Sequence, residues 1–280
     1  MNIDIFQTIV DYSELNSQIK ICCLTKQNYE YIKIYQLNDN RVHDEILKQK
    51  KFHYLKKLYA HENNKIQNIN HLIYLEELDC GWSCGISDDN LKDLINIKRL
   101  NAYHNPRIKN IGNMKNLVEL YCGGDCGISD EDIKDFINLE KINASGNHKI
   151  KNINHLVNLR ELNCGQKSAI SDDNIKGLTK LKVLIAYKNP KIKNINHLVN
   201  LEFLDCSYNC SVADNDMQQL INLKILYAIN NIKIKNIRHL INLEELYCCK
   251  SSLISDDDIK ELNKLKILET YGNPRITISI

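Results

Sequence analysis

From residue 54 onward the chain repeats itself. The spacing L-x-x-L, with Ile in place of Leu in some copies, returns in register from unit starts at residues 54, 74, 96, 116, 138, 158, 180, 200, 222, 242 and 264. The steps alternate between 20 and 22 without exception, so the true period is a 42-residue pair. Short units read like NLEKINASGNHKIKNINHLV, residues 138–157, and long ones like NLVELYCGGDCGISDEDIKDFI, residues 116–137. Within a unit such as Leu117, Leu120 and Cys122, the last two residues are spaced by two. That places them on one side of a short strand and the residue between them on the other. One short strand per unit cannot bury its own apolar face, so each unit must stack on its neighbours. The product is a solenoid carrying a continuous parallel sheet.

The pattern resembles the leucine-rich-repeat family, whose consensus is L-x-x-L-x-L-x-x-N/C-x-L, over residues 54–280. The resemblance implies an α/β solenoid: a horseshoe with a parallel sheet on its concave face and short helical or 3-10 segments on its convex side. Eleven repeats would fill residues 54–280, behind a small helical cap at residues 1–53. The short units carry the family's asparagine at Asn63, Asn105, Asn147, Asn189, Asn231 and Asn273. A buried asparagine there can satisfy backbone groups of successive turns where no regular ladder exists. Long units substitute Cys84, Cys126, Ser168, Cys210 and Ser252 one residue later, read as bulged equivalents. Ser87, Ser129, Ser171 and Ser255 then precede acidic residues and an apolar spacing of three or four, the signature of helix N-caps. This C-G-I-S-D stretch is similar to the C-x-x-I-T-D-like stretch in the cysteine-containing repeats of F-box proteins with leucine-rich repeats, although the units here are shorter.

Composition narrows the function classes. At 43% hydrophobic and 26% charged, the chain is globular rather than disordered. Lys and Arg total 37 against 35 Asp and Glu, a net charge of +2 that gives no general attraction to nucleic acid or anionic membrane. The first ten residues have neither a basic stretch nor a sustained apolar run, so no signal peptide is expected. Nowhere do 18 apolar residues run together, so a spanning helix is not expected either. The 11 cysteines then read as reduced thiols, with a cytoplasmic location, the host cytoplasm if the protein is viral.

Three columns invite chemical readings. Cys80, Cys122, Cys164, Cys206 and Cys248 recur every two units. At a strand spacing of about 4.8 Å they lie roughly 10 Å apart, too far for disulfides or shared zinc. The short units place Ala60, Ala102, Ala144, Ala186 and Ala228 at the same site, which marks a small packing position. His71, His155, His197 and His239, with Asn113 in the missing place, read as a structural ladder on the convex side. The basic stripe Lys65, Arg107, Lys149, Lys191, Lys233 and Arg275 alternates with Asp88, Asp130, Asp172, Asp214 and Asp256, so the two are expected to neutralise one another between repeats. No nucleophile, base and orienter share a surface. The expectation is no catalytic residue, no metal, no cofactor and no enzyme; nucleic acid is only a minor alternative as partner.

The concave face is where partners of this family usually lie. Its first row reads Lys57, Glu77, Arg99, Glu119, Lys141 and Glu161, then Val183, Phe203, Ile225, Glu245 and Ile267. Charge gives way to apolar residues at residue 180. The following positions strengthen the contrast, with Ile185, Tyr187, Tyr227, Ile229, Tyr247 and Tyr271. A contiguous apolar and tyrosine-rich patch on an exposed sheet has the make-up of an interface centre. The expected protein-binding site is therefore Val183, Ile185, Tyr187, Phe203, Ile225, Tyr227, Ile229, Tyr247, Ile267 and Tyr271. Alternatively a C-terminal cap or a homodimer contact covers it, since the last unit ends in RITISI and leaves an open sheet edge.

Upstream, Ile3, Ile5, Ile9, Leu15, Ile19, Cys22 and Cys23 have helical spacing, continued by Tyr29, Ile32 and Leu37, and three short helices fit. The stretch from Met1 to Lys33 resembles an F-box, without the usual opening Leu-Pro. The F-box resemblance implies a substrate receptor of a cullin-based ubiquitin ligase, with Ile5, Ile9, Ile19 and Leu24 as candidate adaptor contacts. The layout is also similar to repeat proteins expanded in large DNA viruses of amoebae. Two functions follow as expectations: a protein-binding scaffold or recruiter, and a ligase substrate receptor.

Overall fold

The computed structural model describes residues 34–38, 41–250 and 252–278. The chain divides into two compact units, residues 1–128 and 129–280. In the first, β1 (Gln36–Asn38), β2 (Lys57–Tyr59), β3 (Glu77–Asp79), β4 (Arg99–Asn101) and β5 (Glu119–Tyr121) lie side by side in sequence order. In the second, β6 (Lys141–Asn143), β7 (Glu161–Asn163), β8 (Val183–Ile185), β9 (Phe203–Asp205), β10 (Ile225–Tyr227), β11 (Glu245–Tyr247) and β12 (Ile267–Glu269) do the same. Neighbouring strands pair in parallel without slippage: Leu58, Leu78, Leu100 and Leu120 align in the first unit, and Leu184, Leu204, Leu226, Leu246 and Leu268 in the second. Strands are three residues long because only the central residue is an inward leucine or isoleucine; both its neighbours face solvent from β2 to β11.

The core consists of repeat columns. In a short unit Leu55, Leu58, Ala60, Ile66, Ile69 and Leu72 are all buried, and in a long unit Leu117, Leu120, Cys122, Ile128, Ile133 and Phe136. Ala60, Ala102, Ala144, Ala186 and Ala228 and their cysteine counterparts are fully enclosed, as expected of a small packing position. The asparagine column joins successive turns. Asn189 donates through Nδ2 to the carbonyls of Cys164 at 2.7 Å and Ile170 at 3.1 Å, while its Oδ1 accepts the Lys191 N–H at 3.0 Å. Asn105, Asn231 and Asn273 repeat the arrangement.

From residue 54 onward the helical segments of the described residues sit in the long units. Asp130–Ile133 and Asp256–Ile259 form single α-turns, while Asp88–Asn90, Asp172–Asn174 and Asp214–Asp216 are 3-10. Ser87, Ser129, Ser171 and Ser255 occupy the extended N-cap position. The side chain three residues on accepts their backbone N–H, as Asp132 does from Ser129 at 2.8 Å. It also takes the serine hydroxyl, at 2.8 Å in the same pair. Ala213 fills this place without a hydroxyl and keeps the backbone bond, to Asp216 at 2.9 Å.

Two expectations need correction. The aspartates at residues 88, 130, 172, 214 and 256 do not neutralise the basic stripe side chain to side chain. Their Oδ1 atoms accept backbone N–H groups of the following turn: Asp88 from Lys109 and Asn110 at 2.7 and 3.0 Å, Asp214 from Lys235 and Asn236 at 2.7 and 3.1 Å. The backbone of the basic loop is what the carboxylate holds, because N–H groups there have no ladder partner. The second correction concerns Leu37, which lies on a strand and not on a helix. It is buried at the centre of β1, aligned with Leu58. A further turn of the solenoid follows it, through helix Asp44–Leu47 and the 3-10 turn Lys50–Phe52. Asp44 accepts the N–H groups of Gln67 and Asn68 as its counterparts do one turn on, and Asn63 donates to Val42.

Candidate interaction surface

The cysteines and histidines that suggested chemistry are built into the architecture. Burial pushes the thiols of Cys80, Cys122, Cys164 and Cys206 well up, and those of Cys84 and Cys210 to about 11. Cys249 is half-buried, with its Sγ directed at the Glu269 carbonyl at 3.4 Å. The histidine ladder is hydrogen-bonded: Nε2 of His71, His155, His197 and His239 meets the carbonyls of Leu47, Ile133, Ile175 and Met217 at 3.0 to 3.1 Å. Asn113 does the same job, donating to Leu91 and Lys92. Among the described residues no cluster of His, Cys, Asp and Glu is placed to hold a metal ion, and no helix is long and apolar enough to cross a membrane.

On the solvent side of the first unit's sheet, the charges pair with one another. Lys57 meets Glu77 at 2.6 Å, and Arg99 meets Glu119 at 3.0 Å while lying 5.1 Å over the Tyr121 ring. In the second unit, Lys141 and Glu161 pair at 2.5 Å on β6 and β7. Then the pairing stops. Parallel register lines up Val183, Phe203, Ile225, Glu245 and Ile267 across β8 to β12. One step along each strand, Ile185, Asp205, Tyr227, Tyr247 and Glu269 form a second row.

The aromatic residues of the two rows make a continuous stack. Tyr227 and Tyr247 lie nearly parallel with centroids 4.0 Å apart, and Phe203 approaches Tyr227 at 5.4 Å. Tyr247 gives its hydroxyl to Glu245 at 3.0 Å, and bonding with Tyr227 and Glu245 pushes its phenol up. Val183, Ile185, Tyr187, Phe203, Ile225, Tyr227, Ile229 and Tyr247 are all half-buried by their neighbours, with one face in solvent. Ile267 and Tyr271 stand further out, 41% and 84% exposed. Asp205 interrupts the apolar field. Burial raises its carboxyl while its Oδ1 accepts the Ser207 N–H at 3.0 Å.

That last bond explains what the aromatic residues displaced. At the equivalent strand end, Asp79, Asn101, Asn143 and Asn163 each accept the N–H two residues on, an Asx turn that closes the strand. Ile185, Tyr227 and Tyr247 occupy this position and have no such acceptor to offer. Tyr59 and Tyr121 stand at the same strand end in the first unit, so the turn bond follows the residue type and is not confined to one part of the sheet.

The repeat, its parallel strands and its asparagine columns now decide the architecture. The chain has the leucine-rich-repeat fold. Solved structures agree: an internalin (inlF) of Listeria monocytogenes is 23% identical, with a TM-score of 0.63 over 82% of this chain and 69% of that one. The functional domain of InlJ from the same organism, described as including a cysteine ladder, is 18% identical with a TM-score of 0.55, over 82% of this chain and 56% of that one. At these identities the likeness is one of fold. No protein-family profile matches the chain, and no curated protein matches it.

Sequence reasoning overlooked two surfaces. Trp82, 45% exposed with a left-handed backbone (φ 58°), packs with His104 at 4.7 Å and Tyr103 at 6.2 Å, and His104 Nδ1 meets Asp125 at 2.6 Å. Its signal was the one tryptophan of the chain. The other is a basic groove at the strand starts of the second unit, whose residues lie in the x positions of L-x-x-L and just before it. The candidate adaptor contacts Ile5, Ile9, Ile19 and Leu24 lie outside the described residues.

Proposed function

We propose that this chain is a protein-binding module, a scaffold or recruiter rather than an enzyme, and that its partner docks on the exposed sheet face of β8 to β11. One observation carries the reading: the rows led by Phe203, Tyr227 and Tyr247 form a stacked apolar field where the earlier strands carry ion pairs. Sheet surface that stays wet is served by the charged arrangement, which adds about 0.2 to 1 kcal/mol per opposite-charge pair. Stacked cross-strand aromatic pairs can stabilise a sheet about as well, so what sets this face apart is the exposed, contiguous apolar field, which suits a surface that another protein dehydrates.

The test is quantitative affinity capture with the wild-type chain and with Phe203→Asp and Tyr227→Ala. Because these side chains are half-exposed, circular dichroism and melting should change little, while the captured partner is lost. Undiminished capture by both variants overturns the reading. Sedimentation of the same proteins distinguishes a second copy of the chain as the partner: self-association that Phe203→Asp abolishes would make this face a homodimer interface.

A further inference from the structure

Beside the apolar rows, the segments leading into β7 to β12 border a groove of about 610 Å³. Its charged lining is mostly basic, and the carboxylates in it are already engaged. Glu202 is clamped between Lys182 and Lys224, each at 2.7 Å, and this holds its carboxyl down at about 2. Glu244 is taken by Lys266 at 2.6 Å. Arg160, at one end of the groove, faces Glu140 at 3.5 Å, while Lys180 and Lys264 reach only the side-chain oxygens of Asn158 and Asn242 at 2.7 and 2.6 Å. An amide oxygen satisfies the hydrogen bond and leaves the charge uncompensated.

The repeat does not require this. At the same edge of the first unit, Lys56 and Lys98 clamp Glu76 in the same way, at 2.8 and 2.7 Å. The flanking positions there are Tyr54 and Tyr74, stacked at 5.3 Å. Lys180 and Lys264 are therefore particular to the second unit, and the groove they line borders the apolar rows, since Lys182, Glu202 and Lys224 immediately precede Val183, Phe203 and Ile225.

We propose that the groove seats an acidic stretch of the same partner whose apolar side chains cover Phe203 and Tyr227, so that the docked segment combines aromatic or aliphatic residues with flanking carboxylates. This rests on the docking face assigned above. Charge complementarity favours a peptide over a nucleic acid. Lys180 and Lys264 are four strands apart, roughly 19 Å at the usual strand spacing, a span for about six extended residues that can place carboxylates at its ends alone. A phosphate backbone carries charge at every nucleotide and would set phosphates against Glu202 and Glu244. The apolar rows alongside also call for side chains that such a backbone lacks.

The full chain is titrated, by fluorescence anisotropy, with three labelled probes: a peptide with a glutamate at each end of a six-residue stretch and phenylalanines between them, its lysine counterpart, and a single-stranded oligothymidylate of equal charge. The acidic peptide should bind, more weakly as salt rises. The double variant Lys180→Glu/Lys264→Glu should weaken it about tenfold, the combined effect of two reversed surface charges, with unchanged circular dichroism. Tighter binding of the oligothymidylate or of the lysine peptide overturns the proposal, as does an affinity for the acidic peptide that the double variant leaves unchanged. The two readings fail separately. If Phe203→Asp abolishes partner capture but the double variant keeps both capture and peptide affinity, the groove is no part of the site and the docking face stands. If the double variant loses the peptide while Phe203→Asp and Tyr227→Ala leave capture intact, the docking face is wrong and the shared site falls with it.

Discussion

Replacing Asn189 by alanine removes three hydrogen bonds at a position with no solvent exposure: two donated to the carbonyls of Cys164 and Ile170 and one accepted from the Lys191 N–H. The partners are backbone groups enclosed between two turns, so the cost is set by what is left unsatisfied. A buried group without a partner costs about 1 to 3 kcal/mol. Three such groups, partly relieved by a water entering the vacated space, give a loss of about 3 to 5 kcal/mol. That is a large share of the roughly 5 to 15 kcal/mol typical of a folded domain. Urea denaturation followed by circular dichroism measures it, and hydrogen exchange locates it. Because solenoid turns are stabilised by their neighbours, protection should fall first in the turns around residues 164 to 191. A loss below about 1 kcal/mol, or protection lost uniformly along the chain, would refute the argument that the asparagine column joins successive turns.

Other consequences are smaller. Asp214→Ala frees the Lys235 and Asn236 N–H groups and should cost about 1 kcal/mol in urea titrations, as loss of a capping side chain does; an equal loss from a Lys235 charge neutralisation would favour the side-chain ion pair instead. Glu202 is held at about 2 against an ordinary value of 4.5, so its clamp contributes fully above pH 4.5 and is lost as pH falls towards 2. The wild-type advantage over Glu202→Gln, about 0.5 to 1 kcal/mol after solvent screening, should therefore hold at pH 6 and shrink below pH 4. In alkylation mapped by mass spectrometry, Cys249 should react in the native chain, whereas Cys80, Cys122, Cys164 and Cys206 react only on unfolding. Native labelling of that column would contradict its place in the core.

Much of this fold was legible because the repeat states its own constraint. Eleven unit starts in strict register leave no arrangement other than stacking. The alternation of Ala and Cys in one column identified a packing site, and the spacing of the histidines fixed them as a ladder. The exposed rows were legible as well, since the period-2 alternation of a strand assigns each residue a face. Residues 34–38 were not. Ile34 and Leu37 are three apart, a separation that fits a helix face and the L-x-x-L of a strand unit equally, and the pairing of β1 with β2 decides between them. The aspartates misled for a related reason: charge alternation in sequence suggests side-chain pairing, while the unpaired backbone N–H groups they cap are visible only once the loops are placed.

The sequence by itself determined the solenoid, its register and the columns of its core, because those follow from periodicity and from the need of each unit to cover the next. Tertiary structure decided how the surface residues meet. Only stacking turns brings Tyr227 and Tyr247 to 4.0 Å. It also sets Lys182 and Lys224 on either side of Glu202 and leaves Lys180 and Lys264 facing amides. These residues are about twenty positions apart or more, and their contacts arise from lateral neighbours in the sheet, which no local pattern records.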